Sequence, residues 1–124
     1  MGRVTHFEIT ADDPERAGKF YSNSVDWQIK KWQGPMAYWL VTTGKEGKVE
    51  TGIDGAIMPR AHDQAVINTI DVDVLDVMME KVKAAGGQIL GVANEIPGVG
   101  RFVYASDTEG NAFGMIQADP NVKM

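Results

Sequence analysis

His6 and Glu8 are the residues of this chain best placed to do chemistry together. They stand two apart in the run Val4-Thr5-His6-Phe7-Glu8-Ile9-Thr10, where polar and apolar residues alternate. Alternation with a period of two marks a half-buried strand. On such a strand both side chains point the same way, with Cα atoms ~6.6 Å apart. Phe7 and Ile9 then pack inward, and His6 and Glu8 occupy the opposite face with Thr10. An imidazole beside a carboxylate is an acid–base pair in which the carboxylate orients the ring or raises its pKa. The same two residues also make a plain solvated or hydrogen-bonded pair, and both readings stand open.

Other chemistries are excluded by residue type. The 124-residue chain has no cysteine, which removes thiolate nucleophiles, disulfides and cysteine-held zinc or iron–sulfur sites. Ser24 and Ser106 have no histidine at motif spacing, so a hydrolase triad is unsupported. Gly98-Val99-Gly100 opens no helix and lacks the lysine of a phosphate loop; it reads as a loop able to move over a ligand. Twelve Lys and Arg against seventeen Asp and Glu give a net charge of −5, which argues against nucleic acid. No apolar run approaches the ~18 residues of a membrane span. The N-terminal residues show no leader-like apolar core, so the expected location is the cytoplasm.

The elements that must position His6 and Glu8 follow in order. Asp13 is a good N-cap and Pro14 suits the first helical position, so a helix carrying Ala17, Phe20 and Tyr21 runs to about Ser24. Residues 27–32, 36–43 and 52–58 read as three strands, the second rich in aromatic and β-branched residues. Residues 44–48 form a polar hairpin tip. Residues 59–64, with Pro59 and His62, read as a linker. The order then repeats. Residues 65–72 alternate as a strand, and Asp73 can cap a helix carrying Leu75, Met78 and Val82 that Gly86-Gly87 stops. Strand candidates follow at 88–93, 101–106 and 111–117, with a loop over 94–100. His6 and Ile67 hold equivalent places about half the chain apart, so the chain is read as a duplication of two modules, 1–58 and 65–118, in a single domain. Neither half alone covers both faces of its sheet; two together leave an inner face between them.

Three stretches carry a family resemblance: His6-Phe7-Glu8-Ile9 leading into Asp12-Asp13-Pro14-Glu15-Arg16-Ala17, Asn68-Thr69-Ile70-Asp71-Val72 leading to Gly86-Gly87, and Asp107-Thr108-Glu109-Gly110-Asn111-Ala112-Phe113-Gly114. In these the chain resembles the vicinal-oxygen-chelate superfamily of glyoxalase I, bleomycin-resistance proteins, extradiol dioxygenases and methylmalonyl-CoA epimerase. The resemblance implies an α+β fold of two paired βαβββ modules forming an open eight-stranded cup. It also implies a homodimer, which would cover exposed strand edges. Metal-dependent members hold a divalent ion with one residue from the first and last strand of each module, and the ion grips two oxygens of the substrate. Here His6 fills the first of those positions, but the others fall on Ile67, on Gly114 and, within 52–58, on Gly55 with Asp54 as its polar neighbour. A metal site normally needs three protein ligands. The expectation is therefore a protein without the family's metal or any other cofactor.

Aromatic walls with a few polar groups describe most small-molecule sites, and Trp39 and Tyr104 are expected to line the cup as ligand-binding residues. Asp71 is expected to face it from the second module, either as a third ligand-binding residue or only as a cap on the helix side. The expected function is binding of a small aromatic or cationic molecule, which carboxylates and aromatic rings would favour. The alternative is a glyoxalase-type lyase or isomerase in which His6 and Glu8 are catalytic, with or without a divalent metal.

Overall fold

A computed structural model describes residues 1–45, 48–61 and 63–119. Glu46, Gly47 and His62 therefore lie outside the described residues, and with them the tip of the expected hairpin and the middle of the expected linker. The described residues form eight strands and two helices, an α+β fold in which strand, helix and three strands occur twice. Their Cα packing divides the chain into two compact units, residues 6–67 and residues 1–5 with 68–124.

In the first unit the strands are β1 (Arg3–Ala11), β2 (Gln28–Lys31), β3 (Trp39–Thr42) and β4 (Gly55–Pro59), in the order β2-β3-β4-β1. β3 runs antiparallel to both neighbours, and β4 lies parallel to β1 with Phe7 opposite Gly55 and Glu8 opposite Ala56. Helix α1 (Pro14–Val25) starts as its sequence dictates. The Asp13 carboxylate accepts the Arg16 backbone N–H at 3.1 Å, which satisfies one of the donors a helix N-terminus leaves free. Asp26 ends the helix in the left-handed region, at φ 63°. Ala17 and Tyr21 then pack on Phe7, Ile9, Val41 and Ile57, forming one apolar core. Phe20, expected inside, is 63% exposed and touches Tyr21 edge-on. At helical spacing Ala17 and Tyr21 already cover the sheet, and Phe20 falls one position off that stripe.

The second unit repeats the pattern with β5 (Val66–Asp71), α2 (Leu75–Ala84), β6 (Gln88–Ile96), β7 (Gly100–Ser106) and β8 (Ala112–Ala118), in the order β5-β8-β7-β6. Its core gathers Val72, Leu75, Val103, Ala105 and Met115, with Met78, Met79 and Val82 from α2 packed against them. Two expectations are corrected here. Asp73 does not cap α2: the N-cap residue is Val74, which has no side-chain acceptor. Gln117 supplies the missing group, its Oε1 accepting the Leu75 N–H at 2.8 Å from strand β8. The expected loop over 94–100 is instead a hairpin, because β6 continues to Ile96 and β7 begins at Gly100. Val99 N–H donates to the Ile96 carbonyl at 3.0 Å, and Gly98 and Gly100 supply the positive φ angles this tight reversal needs.

Among the described residues no helix is long and apolar enough to cross a membrane.

Candidate functional site

In β1, Phe7, Ile9 and Ala11 enter the core under α1, so His6, Glu8 and Thr10 occupy the face turned from the helix, as the alternation predicts. His6 and Glu8 meet on that face through a third residue, Tyr38. The Tyr38 hydroxyl donates to Glu8 Oε2 at 2.7 Å, and His6 Nε2 lies 2.8 Å from the Tyr38 hydroxyl oxygen. The two rings are nearly parallel, 11° apart, with centroids at 6.4 Å. Trp32 packs edge-on against Tyr38, with ring centroids 5.9 Å apart. Trp32 N–H also donates to the Tyr38 carbonyl at 2.8 Å, closing the β2–β3 hairpin and holding Tyr38 just ahead of β3.

Electrostatics follow from this placement. Glu8 is only 4% exposed, and its carboxylate accepts the Tyr38 hydroxyl at Oε2. His6 is half-buried. Loss of hydration holds its pKa below the ordinary 6.5, against the opposing pull of the Glu8 and Asp54 charges. The ring is therefore neutral near pH 7. Asp54 itself is turned to Thr43, whose backbone N–H and hydroxyl donate to its Oδ1 at 2.8 and 3.1 Å.

Trp39 does not share this face. It packs with Phe7, Ile9, Tyr21 and Trp27 in the helix-covered core, and Lys31 Nζ sits 5.5 Å from its ring centroid. The parity of β3 explains the correction. Leu40 pairs with Ala56, which pairs with Glu8, so residues 38 and 40 belong to the His6 face and residues 39 and 41 to the core. Tyr38, an aromatic neighbour of the expected Trp39, takes the place on this face, and the same alternation, counted back from buried Val41, points to it.

Asp71 and Tyr104 belong to the second unit. Asp71 is exposed at the end of β5, opposite Ile116. Tyr104 is half-buried in β7, opposite Gly114, with its ring edge-on to Phe102 at 4.7 Å. Through the pairings of β5, β8 and β7, Asp71 and Tyr104 share the face turned from α2.

The described residues do not fit a divalent ion held in the family's manner. His6 Nε2 and one Glu8 oxygen are already bonded to Tyr38. The β4 position on the His6 face is Ala56, not Gly55, because Gly55 lies opposite Phe7 and a Cβ there would come within 2.6 Å of the Phe7 ring. Ile67 is fully buried. Gly114 carries no side chain, and a Cβ there would lie 2.5 Å from the Phe102 ring, which fills the space. Among the described residues no three of His, Asp and Glu gather as metal ligands would.

Comparison with known proteins gives consistent results. The model of the Glyoxalase/Bleomycin resistance protein/Dioxygenase superfamily matches residues 3–115. A glyoxylase-like domain-containing protein of Didymella fabae is 33% identical over 120 residues, covering 89% of each chain. A superfamily member from Vibrio splendidus 12B01 has a similar structure, with a TM-score of 0.67 and 14% identity over 96% of this chain and all of that one. The methylmalonyl-CoA epimerase of Mycobacterium tuberculosis superposes with a TM-score of 0.69 and 13% identity, over 94% of this chain and 87% of its own. At these identities the structural likenesses speak for the fold.

Proposed function

This chain belongs to the Glyoxalase/Bleomycin resistance protein/Dioxygenase superfamily, and within it we propose a protein that binds a small aromatic or cationic molecule without the family's metal. The observation that carries this reading is the His6–Tyr38–Glu8 chain of hydrogen bonds. At the position where the resemblance places a ligand of the family's metal, His6 is instead part of a polar network. Trp32 and Tyr38 put aromatic surface beside it, and the buried Glu8 carboxylate makes the surroundings favourable to positive charge. A compound with a flat apolar body and a polar or cationic head matches such a lining.

Thermal melts and tryptophan fluorescence of metal-stripped protein against a panel of aromatic amines and phenols test the reading. Binding raises the melting temperature and changes the tryptophan emission, with no product formed and no dependence on added metal. Binding that appears only when a divalent metal is added overturns it.

A second reading is favoured by the placement of His6, half-buried against Tyr38, where loss of hydration holds its pKa below the ordinary 6.5. A neutral histidine near pH 7 is a competent general base, and the Tyr38–Glu8 pair would stabilise the imidazolium that forms. In that case the protein is a lyase or isomerase acting by proton transfer alone. His6→Ala would then abolish turnover with the fold intact, whereas unchanged turnover would dismiss His6 as catalytic. The net acidic charge speaks for a small-molecule partner and against nucleic acid. We place the protein in the cytoplasm as a homodimer.

A further inference from the structure

The three-residue chain fixes more than the position of His6. A tyrosine hydroxyl has one proton, and here it goes to Glu8 Oε2. Toward His6 the same oxygen can only accept, so the proton of the neutral ring must sit on Nε2. Nδ1 is then the atom with the free lone pair. Among the described residues it has no protein partner and no buried side-chain nitrogen or oxygen is left without one, so Nδ1 reaches accessible space.

We propose that Tyr38 is a positioning residue that locks His6 in the Nε2–H form and so presents Nδ1 as a hydrogen-bond acceptor, selecting ligands that bring an N–H or O–H donor. This rests on the metal-free binding reading and narrows it. A primary or secondary ammonium, an amide N–H or a phenol fits, while a quaternary ammonium or an ether of the same shape does not. Two acceptors cannot share a proton that neither of them carries, so a ligand offering only lone pairs meets an unfavourable contact at Nδ1.

Nitrogen NMR of histidine-labelled protein at about pH 8, where an imidazole of ordinary or lowered pKa is neutral, reads the tautomer directly. The wild-type protein should show His6 as a single Nε2–H form. Tyr38→Phe, which keeps the ring and removes the oxygen, should give a mixture of tautomers. A wild-type ring protonated on Nδ1, or an unchanged tautomer in Tyr38→Phe, overturns the proposal. The wild-type spectrum needs no variant, so misfolding of Tyr38→Phe would not shelter it. For ligand choice the probes are benzylammonium and benzyltrimethylammonium, which share ring and charge and differ in N–H donors. Benzylammonium should shift the His6 Nδ1 resonance and bind about tenfold more tightly, the scale of one hydrogen bond. Equal binding of the two, or no movement of Nδ1, overturns the donor selection while leaving metal-free binding intact. A metal requirement for either probe would instead overturn the reading on which it rests.

Discussion

Removing the Tyr38 hydroxyl should destabilise the protein, and most of that cost should vanish when Glu8 is also changed. The hydroxyl makes two bonds, at 2.7 Å to Glu8 and 2.8 Å to His6. Glu8 is 4% exposed, so water cannot freely replace the lost donor. A hydrogen bond to a charged group is worth about 1.5–3 kcal/mol and a neutral one about 1 kcal/mol. Phe keeps the packing against Trp32, and Glu8 retains its other contacts. The expected loss for Tyr38→Phe is therefore about 2–3 kcal/mol. For a chain of this size that corresponds to a fall in Tm of roughly 6–15 °C. Glu8→Met removes the carboxylate at similar volume and leaves the Tyr38 bond to His6 in place. In that background Tyr38→Phe should cost less than about 1 kcal/mol. Urea unfolding of the four proteins gives the cycle. If Tyr38→Phe costs the same in both backgrounds, within about 0.5 kcal/mol, the hydroxyl and the carboxylate are not coupled and the three-residue chain is not a structural unit.

Three further perturbations test other parts of the structure. Gly114→Ala should cost about 1–3 kcal/mol, as overpacking does, because its Cβ would meet the Phe102 ring at 2.5 Å; chemical denaturation checks this, and Phe102→Leu in the same chain should recover part of the loss. Gln117→Ala should cost about 1 kcal/mol by leaving the Leu75 N–H at the start of α2 without its acceptor; unchanged stability would mean that water caps the helix equally well. The His6 pKa is lowered in the fold, so below pH 6.5 the unfolded chain takes up this proton first. Stability from this group is intact above 6.5 and is lost as pH falls toward the folded-state value; His6→Gln should flatten that limb of a Tm–pH curve.

The doubled strand–helix–three-strand order was legible because each signal is local. Alternation around Phe7 and Ile9, the Asp13-Pro14 start of α1 and the Gly86-Gly87 stop after α2 each depend on a few adjacent residues. The His6 and Glu8 pair was legible for the same reason. What escaped depends on partners far along the chain. The cap of α2 is a glutamine 42 positions away, which no local pattern announces. In residues 36–43 large side chains occupy both faces, so hydrophobicity does not distinguish Tyr38 from Trp39; the pairing of Leu40 with Ala56 decides it. The face of Gly55 was not legible for the same reason, since its register opposite Phe7 is a property of the β1–β4 pair. The hairpin over 97–99 reads as loop because glycine and proline mark a tight reversal and a long excursion alike.

The absence of a metal requirement is tested most directly by thermal melts of metal-stripped protein titrated anaerobically with Ni(II), Zn(II), Mn(II) and Fe(II). A specific ion at one hundred times its dissociation constant would add about 2.7 kcal/mol, a shift of several degrees for a domain of this size. With His6 Nε2 and Glu8 engaged by Tyr38, and with Ala56, Ile67 and Gly114 at the remaining ligand positions, no ion should raise the Tm. A clear upward shift that disappears in His6→Ala would contradict this and return the protein to the metal-dependent members of its superfamily.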